Sequence, residues 1–519
     1  LVTGGVYAPD TVQVMSEGAQ TRPRRLQKGE IVELTIDSLA HGGAGVGRAD
    51  GFVVFARGGL PGDRVLARVT GGKKNFAEAR VTEILEPGQN RVPERAPHPG
   101  AQWQTLEYSA QLTEKQNQVR DALERFGNFD LSEESPITFE EIVPAGTGHD
   151  DPAIWNYRNK VEFSFGLSDD GSLALGFHPP GRWDLVEDTD DVVLASERTN
   201  EIRRIVKDWC VRRELSTYDP DENFGFLRNL VVREGRATGE TMVRLVTTSK
   251  EPEPGGFDTA GFVEELQQLD PPPSSIIWSR SDSPGGWTHD ARDKTLAGND
   301  YIEEEIGGLR FRISPDAFFQ TNSAQTEKLY ETAIEFAGLT GKELVFDLYC
   351  GSGTIGISLA DHAKHVWGVE IIADAVEDAA VNANLNGITD ADFLAGDMRL
   401  ALPQLIEHAG TPDVAIVDPP RAGLSAKVVR RVMEAAPKRI VYVSCNPTTL
   451  APNMKQMVES GYVLRRVKPV DMFPHTPHIE TVAVLDLVDD EKRLAVIAAR
   501  IEERRTKGKS RPTPPRAEA

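Results

Sequence analysis

From about residue 312 onward, short apolar runs alternate with helical stretches, and this alternation constrains the fold more than any other feature of the sequence. Leu344-Val345-Phe346-Asp347-Leu348, Val366-Trp367-Gly368-Val369-Glu370, Val414-Ala415-Ile416-Val417-Asp418 and Ile440-Val441-Tyr442-Val443-Ser444 are strand-like, and 372–386 reads as a helix. Strands covered on both faces appear as continuous apolar runs, and the helices between them supply the crossovers of a parallel sheet. The pattern predicts a doubly wound α/β domain over 311–490. Ligands of such sheets lie outside the carboxyl ends of the strands. The residues that close each run are therefore where chemistry is to be sought.

The remainder is organised differently. At about 100–200 residues per domain, 519 residues suggest a multidomain chain of three or four parts. Residues 1–27 lack apolar periodicity and read as a disordered leader, with Met15 as an alternative start. Residues 28–88 carry strand-like runs at 31–36, 52–55, 64–69 and 78–81 between glycine-rich turns, which predicts a small all-β barrel. Residues 89–310 comprise a Pro-rich linker, a helix over 107–127 with Leu112, Val119, Leu123 and Phe126 on one stripe, and a central α+β domain with a helix near 195–213. Residues 491–519 form a basic, Pro-rich tail. No apolar run is long enough to span a membrane. Three cysteines, Cys210, Cys350 and Cys445, cannot form a disulfide framework or a four-thiolate metal site, so a cytoplasmic protein is expected.

Four segments carry chemistry. Gly351-Ser352-Gly353-Thr354-Ile355-Gly356 fits the G-x-G-x-x-G pattern between a strand and a helix, and Glu370 closes the next strand. Glycines there admit a cofactor close to the backbone, and the acid holds ribose hydroxyls. A dinucleotide and S-adenosylmethionine (SAM) fit this pattern equally. Asp418-Pro419-Pro420-Arg421 decides between them. Proline donates no amide hydrogen, so two in a row end the sheet and expose carbonyls at its rim. An Asp-Pro-Pro at that place is typical of methyltransferases acting on nucleobases. Arg421 stands where enzymes that methylate exocyclic amines carry an aromatic residue, so the target is expected not to be an amine.

Cys445, in Val443-Ser444-Cys445-Asn446-Pro447, closes another strand of the same sheet. A thiolate adding to carbon 6 of a pyrimidine makes carbon 5 enolate-like and able to attack a sulfonium methyl. A free thiol titrates near ~8.5, so such a site is expected to favour the thiolate. Cys210 and Cys350 read as structural. In Asp471-Met472-Phe473-Pro474-His475-Thr476-Pro477-His478-Ile479-Glu480, the carboxylate of Glu480 can take the carbon-5 proton that must leave after methyl transfer. His475 and His478 lack a third partner for a metal, and orienting the base or Glu480 is their expected role.

Together these segments resemble the RNA 5-methyluridine (uracil-5-) methyltransferase family over about 312–487. The resemblance rests on Phe318-Phe319-Gln320-Thr321-Asn322, Asp347-Leu348-Tyr349-Cys350-Gly351, Asp418-Pro419-Pro420-Arg421-Ala422-Gly423, Ser444-Cys445-Asn446-Pro447 and Asp471-Met472-Phe473-Pro474-His475-Thr476. Residues 28–88 resemble the TRAM domain, an OB-like RNA-binding barrel, and Asn156-Tyr157-Arg158-Asn159-Lys160 resembles the start of the family's central domain. The resemblance implies a C-terminal Rossmann-like, SAM-dependent methyltransferase domain. It implies Cys445 as nucleophile, Glu480 as general base, and Gln320, Tyr349, Gly351, Glu370, Asp397 and Asp418 as cofactor contacts. Several TRAM-bearing members hold an iron–sulfur cluster through cysteines after the barrel. Here residues 96–104 contain none, so no iron–sulfur cluster and no other metal are expected.

The implied partner is structured RNA, either tRNA or large-subunit rRNA, bound by a monomer. An RNA cytosine-5-methyltransferase would place a second cysteine beside the Asp-Pro-Pro, which is missing after Asp418, and an NAD-dependent oxidoreductase has no evident use for that motif. The formal net charge of −22 argues against a polyanionic partner until it is divided by region. Residues 130–310 carry −19 of it, whereas Arg22 to Arg91 is +4. RNA is therefore expected to meet the barrel, where Lys73 and Lys74 flank Phe76, and the cleft around Arg421 and Cys445.

Overall fold

The computed structural model describes residues 25–179, 181–182, 184–252, 255–283 and 291–488. Residues 1–24 of the expected leader, Arg22 and Arg24 among them, and the tail lie outside them, whereas Leu26 is buried in the barrel core. The chain divides into two compact units, one formed by residues up to 89 except 41–43, the other by 41–43 and the rest.

In the first unit the strands Ile31–Leu39, Gly45–Ala49, Phe52–Arg57, Arg64–Gly72 and Phe76–Glu86 close into a barrel. Alternate residues, among them Val32, Leu34, Ile36, Val54, Ala56, Val65 and Ala67, fill its interior, as the period-two pattern requires. Sequence reading finds four of the five strands. Gly45–Ala49 escapes because its glycines conceal it. A Cβ at Gly47 would lie 2.5 Å from the Thr35 carbonyl oxygen, so the pairing itself demands glycine.

The second unit begins with the helix Tyr108–Ala122, which runs into a π-helical turn, Leu123–Gly127. Val119 and Leu123 are buried as expected, but Phe126 is 52% exposed. The wider turn rotates it off the stripe. The central region, which periodicity alone leaves unresolved, forms a seven-stranded sheet. Its order is Arg292–Gly298, Ser275–Arg280, Thr241–Thr247, Leu227–Glu234, Lys160–Leu167, Leu173–Phe177, Glu187–Asp188. The helices Glu197–Arg212 and Thr259–Gln267 cover one face, over a core that includes Phe163, Trp209, Phe226, Phe262 and Trp278. Some of the region's acidity is used internally. Buried Arg203 pairs with Asp188 at 3.0 Å and Asp190 at 3.3 Å, and Lys207 also reaches Asp188.

After the hairpin Ile302–Ile306/Leu309–Ile313 comes an eight-stranded sheet. Its order is Ala391–Ala395, His365–Glu370, Leu344–Leu348, Val414–Val417, Arg439–Ser444, Glu480–Leu487, Tyr462–Val470, Thr138–Phe139. Alternate residues of one strand serve cores on opposite faces: Phe346 and Leu348 lie in one, Val345 in the other. The first five strands are parallel, as predicted. Glu480–Leu487 is antiparallel to both its neighbours, because a nine-residue link without a crossover helix joins it to Tyr462–Val470. Among the described residues no helix is long and apolar enough to cross a membrane.

Phe163 is fully buried in the central core. Phe163→Ala is expected to cost about 3–5 kcal/mol of stability. Chemical denaturation with a loss below about 1 kcal/mol would contradict the packing of its ring.

Candidate active site at the strand ends

The glycine loop leaves the strand Leu344–Leu348 through three left-handed residues: Tyr349 (φ 68°), Gly351 (φ 53°) and Gly353 (φ 81°). A glycine adopts this region freely, whereas Tyr349 is held there at a cost of about 1–3 kcal/mol. The amides of Tyr349 and Cys350 donate to the Val369 carbonyl at 2.9 and 3.1 Å. Gly356 permits the following helix to approach its strand. A Cβ there would fall 2.8 Å from Asp347 Oδ2, which instead accepts the Gly356 amide at 2.8 Å. The other oxygen, Asp347 Oδ1, is buried with no protein partner.

Glu370 ties the loop to the next strand. One carboxylate oxygen accepts the amides of Ile371 (2.7 Å) and Ile372 (3.0 Å), the other that of Gly351 (3.3 Å). The Ile371 and Ile372 side chains are exposed at the rim. Asp397 caps the helix Met398–Ala409 and is clasped by Arg399, whose guanidinium and amide hold its carboxyl down to about 2. It lies near enough to Tyr349 that, after burial, its charge helps to raise the phenol. Gln320 is buried. Its carbonyl accepts Asn159 Nδ2 at 2.9 Å. The helix that follows, Ser323–Ala337, brings Tyr330 to within 2.7 Å of Thr354 in the glycine loop.

Asp418, Cys445 and Glu480 converge along the sheet edge. Cys445 is half-buried, whereas Cys210 and Cys350 are buried. Burial, then the charges of Glu480 and Asp418, push the Cys445 thiol up to about 11, against the opposing pull of Arg421. In the ligand-free site, desolvation and two carboxyl groups thus act against the thiolate that the sequence leads one to expect. Burial and Asp418 push Glu480 well up. Burial and Asp347 raise Asp418 to about 7, and burial, with Glu370 contributing, raises Asp347 to about 7 despite the Gly356 amide. Four carboxyl groups thus interact in series from Glu370 to Glu480.

Arg421 connects the loops. Its carbonyl accepts Asn446 Nδ2 at 3.1 Å, and its guanidinium lies 3.1 Å from His478 Nδ1. Burial and Arg421 lower His478 to about 4. His475 is stacked on Trp155 with centroids 3.7 Å apart, and burial lowers it to about 2. His475 is thus packed away as a neutral ring, and only His478 of the two stands beside Arg421. No group of three side chains suited to a metal ion occurs among the described residues. Sequence reading does not single out Asp347 or Tyr330. An aspartate inside an otherwise apolar strand is the available signal for the first.

These residues fit SAM. Glu370 presents acceptors for a ribose diol, Ile371 and Ile372 supply an apolar rim, and Asp347 Oδ1 lacks a donor. The series of carboxyl groups suits a ligand carrying sulfonium and ammonium charges and would repel the pyrophosphate of a dinucleotide.

Residues 289–488 match the family model described as tRNA (Uracil-5-)-methyltransferase, and residues 25–82 match the TRAM domain. An uncharacterised RNA methyltransferase of Halalkalibacterium halodurans is 39% identical over 468 residues, covering 89% of this chain and 98% of its own. One of Listeria innocua is 38% identical over 466 residues, covering 89% and 99%. The crystal structure of Pyrococcus abyssi tRNA (uracil-54, C5)-methyltransferase in complex with S-adenosyl-L-homocysteine superposes with a TM-score of 0.69 at 28% identity, covering 88% of this chain and 99% of that one. With its TRAM barrel and its methyltransferase sheet, this chain belongs to the SAM-dependent RNA uracil-5-methyltransferase family.

Proposed function

We propose that the protein methylates carbon 5 of a uridine in structured RNA through a covalent bond between Cys445 Sγ and carbon 6 of the base. The observation that carries this reading is the convergence of one half-buried thiol with Glu480 and Asp418 at the carboxyl edge of the sheet. SAM, when bound, supplies an electrophilic methyl group. Gln320, Tyr349, Gly351, Glu370 and Asp418 would hold it, with Asp397, whose charge acts on Tyr349, toward its adenine. Cys445 gives its proton to solvent as the base enters, its sulfur adds to carbon 6, and the electron pair of the 5,6 double bond turns carbon 5 into the nucleophile. Once carbon 5 is methylated, Glu480, which must first release to solvent the proton that its raised pKa favours, takes the carbon-5 proton as carboxylate, the electron pair restores the 5,6 double bond, and the Cys445 thiolate departs. Arg421, the cation acting on the thiol, favours both its formation and its departure.

The barrel supports an RNA contact. A recess of about 230 Å³ is lined by Arg25, Lys28, Lys73, Phe52 and Phe76. The Lys73 ammonium lies 6.0 Å from the Phe76 ring centre, which stands edge-on to Phe55 at 5.3 Å. Cations for a backbone beside a ring for a base suit a single-stranded segment. Both tRNA and large-subunit rRNA meet this description. Mapping of 5-methyluridine by mass spectrometry in RNA from cells with and without the gene identifies the target.

Cys445→Ala is expected to abolish 5-methyluridine formation while leaving SAM binding intact; retained activity would sink the mechanism. Glu480→Gln is expected to trap a methylated RNA–protein adduct on a denaturing gel, and lost activity without any adduct would remove Glu480 as the base. Because its pKa stands above the ordinary value, Cys445 in the free protein is expected to be alkylated by iodoacetamide ever faster from pH 7 to about pH 10. Arg421→Gln removes the opposing cation and moves that rise further up. A plateau below about pH 8 would contradict the environment described for the thiol. Lys73→Ala with Lys74→Ala is expected to weaken RNA binding without sequence preference. Its salt dependence should flatten by about one unit of slope for each phosphate no longer neutralised. An unchanged slope would take the barrel out of the RNA interface.

A further inference from the structure

The segment 471–479 joins the strands Tyr462–Val470 and Glu480–Leu487, and its two flanking residues, Val470 and Glu480, are register partners. Whatever fixes this loop fixes the backbone from which Glu480 projects. Five successive carbonyls of the loop are each taken by a donor from elsewhere. Asp471 O accepts Gln325 Nε2 at 2.9 Å, and Met472 O accepts Asn322 Nδ2 at 3.0 Å. Phe473 O accepts Lys115 Nζ at 2.9 Å, Pro474 O accepts the Tyr157 hydroxyl at 3.0 Å, and His475 O accepts the Trp103 amide at 2.9 Å. Trp103, Lys115 and Tyr157 lie outside the 289–488 segment that carries the chemistry.

Lys115 does more than accommodate a carbonyl. Its ammonium also pairs with Asp471 Oδ1 at 2.5 Å, both side chains fully buried, while the Tyr108 hydroxyl donates to Asp471 Oδ2 at 2.8 Å. A buried pair of this kind is no better for stability than apolar side chains of the same volume, because desolvation offsets the attraction. What apolar side chains could not do is choose one position for the loop. The ammonium finds partners only where Asp471 and Phe473 O are both within reach. Neither Lys115 nor Asp471 is among the charges that act on the thiol of Cys445 or the carboxyl group of Glu480.

We propose that Lys115 and Asp471 are positioning residues for the general base, and that the helix Tyr108–Ala122 thereby forms part of the catalytic centre. This rests on the methyltransferase reading above. The pair acts on the last chemical step, removal of the carbon-5 proton, through the register of Glu480, and leaves the preceding bond formation at Cys445 untouched.

The test compares wild type with the double variant Lys115→Met/Asp471→Asn, which leaves no unpaired buried charge, and with Glu480→Gln. Turnover on an RNA substrate, SAM affinity, circular dichroism and adduct on a denaturing gel are measured for each. The expected result is a folded double variant that binds SAM within about twofold of wild type and turns over about 10–100-fold more slowly. It accumulates methylated adduct as Glu480→Gln does, a signature that a general loosening of the fold would not produce. Wild-type turnover in the double variant overturns the proposal. So does loss of turnover without adduct, or loss of the folded state, which would make the pair a stability device. If wild type itself forms neither 5-methyluridine nor adduct, the methyltransferase reading fails and the positioning role falls with it.

Discussion

The interaction on which the site depends is repulsion among desolvated carboxyl groups. Glu370, Asp347, Asp418 and Glu480 stand at one rim of one sheet, where the charge of Glu370 acts on Asp347, that of Asp347 on Asp418 and that of Asp418 on Glu480. Such a series cannot carry a full charge on every member in a low-dielectric setting. Two consequences follow from that alone. The cleft is built for a cationic ligand, which sets it apart from the otherwise similar glycine loops that receive pyrophosphate. And, together with burial, the series raises the pKa of the thiol beside it. The sheet is what brings these groups into line: Asp347, Glu370 and Asp418 lie at the carboxyl ends of parallel strands, and Glu480 opens an antiparallel strand at the same rim.

The remainder of the second unit holds that rim in place from outside. Glu304 is fully buried in the hairpin that precedes the catalytic sheet. Its two oxygens accept the amides of Arg236, Ala237 and Glu305 at 2.9–3.0 Å and the Ser323 hydroxyl at 2.5 Å. Ser323 in turn accepts Asn159 Nδ2, which also reaches the Gln320 carbonyl. The central sheet is thereby stitched to the segment that presents Gln320. The early helix is stitched to the segment that presents Glu480. Asn159 meets residues 161 and 164 positions away in the first place, and Lys115 meets Asp471 at a separation of 356 in the second.

Much of this is legible in the sequence wherever the signal is local. Apolar runs announce buried strands, and Asp418, Cys445 and Glu480 are conspicuous because they close or open such runs. The parts that are not legible depend on long-range partners. The strand Gly45–Ala49 is concealed because its glycines answer to the Thr35 carbonyl across the barrel. The exposure of Phe126 follows from a widened turn that no periodicity signals. The antiparallel return of Glu480–Leu487 is set by a short link, whereas apolar composition is the same for either direction. The resting state of Cys445 escapes sequence reading because the sign of its environment belongs to Glu480 and Asp418, which approach it only in the fold. Net charge misleads because a sum over the chain does not record where the charge lies, and residues 130–310 carry −19 of the −22.

The protonated state of Cys445 has a bearing beyond the methylation step. Oxidation by peroxide begins at the thiolate, and a cysteine kept as the neutral thiol climbs the ladder from sulfenic to sulfinic acid only slowly. A half-buried thiol whose pKa is raised is therefore oxidised less readily than an exposed thiolate. In the reaction proposed above, the same repulsion that delays formation of the nucleophile would also preserve it between turnovers.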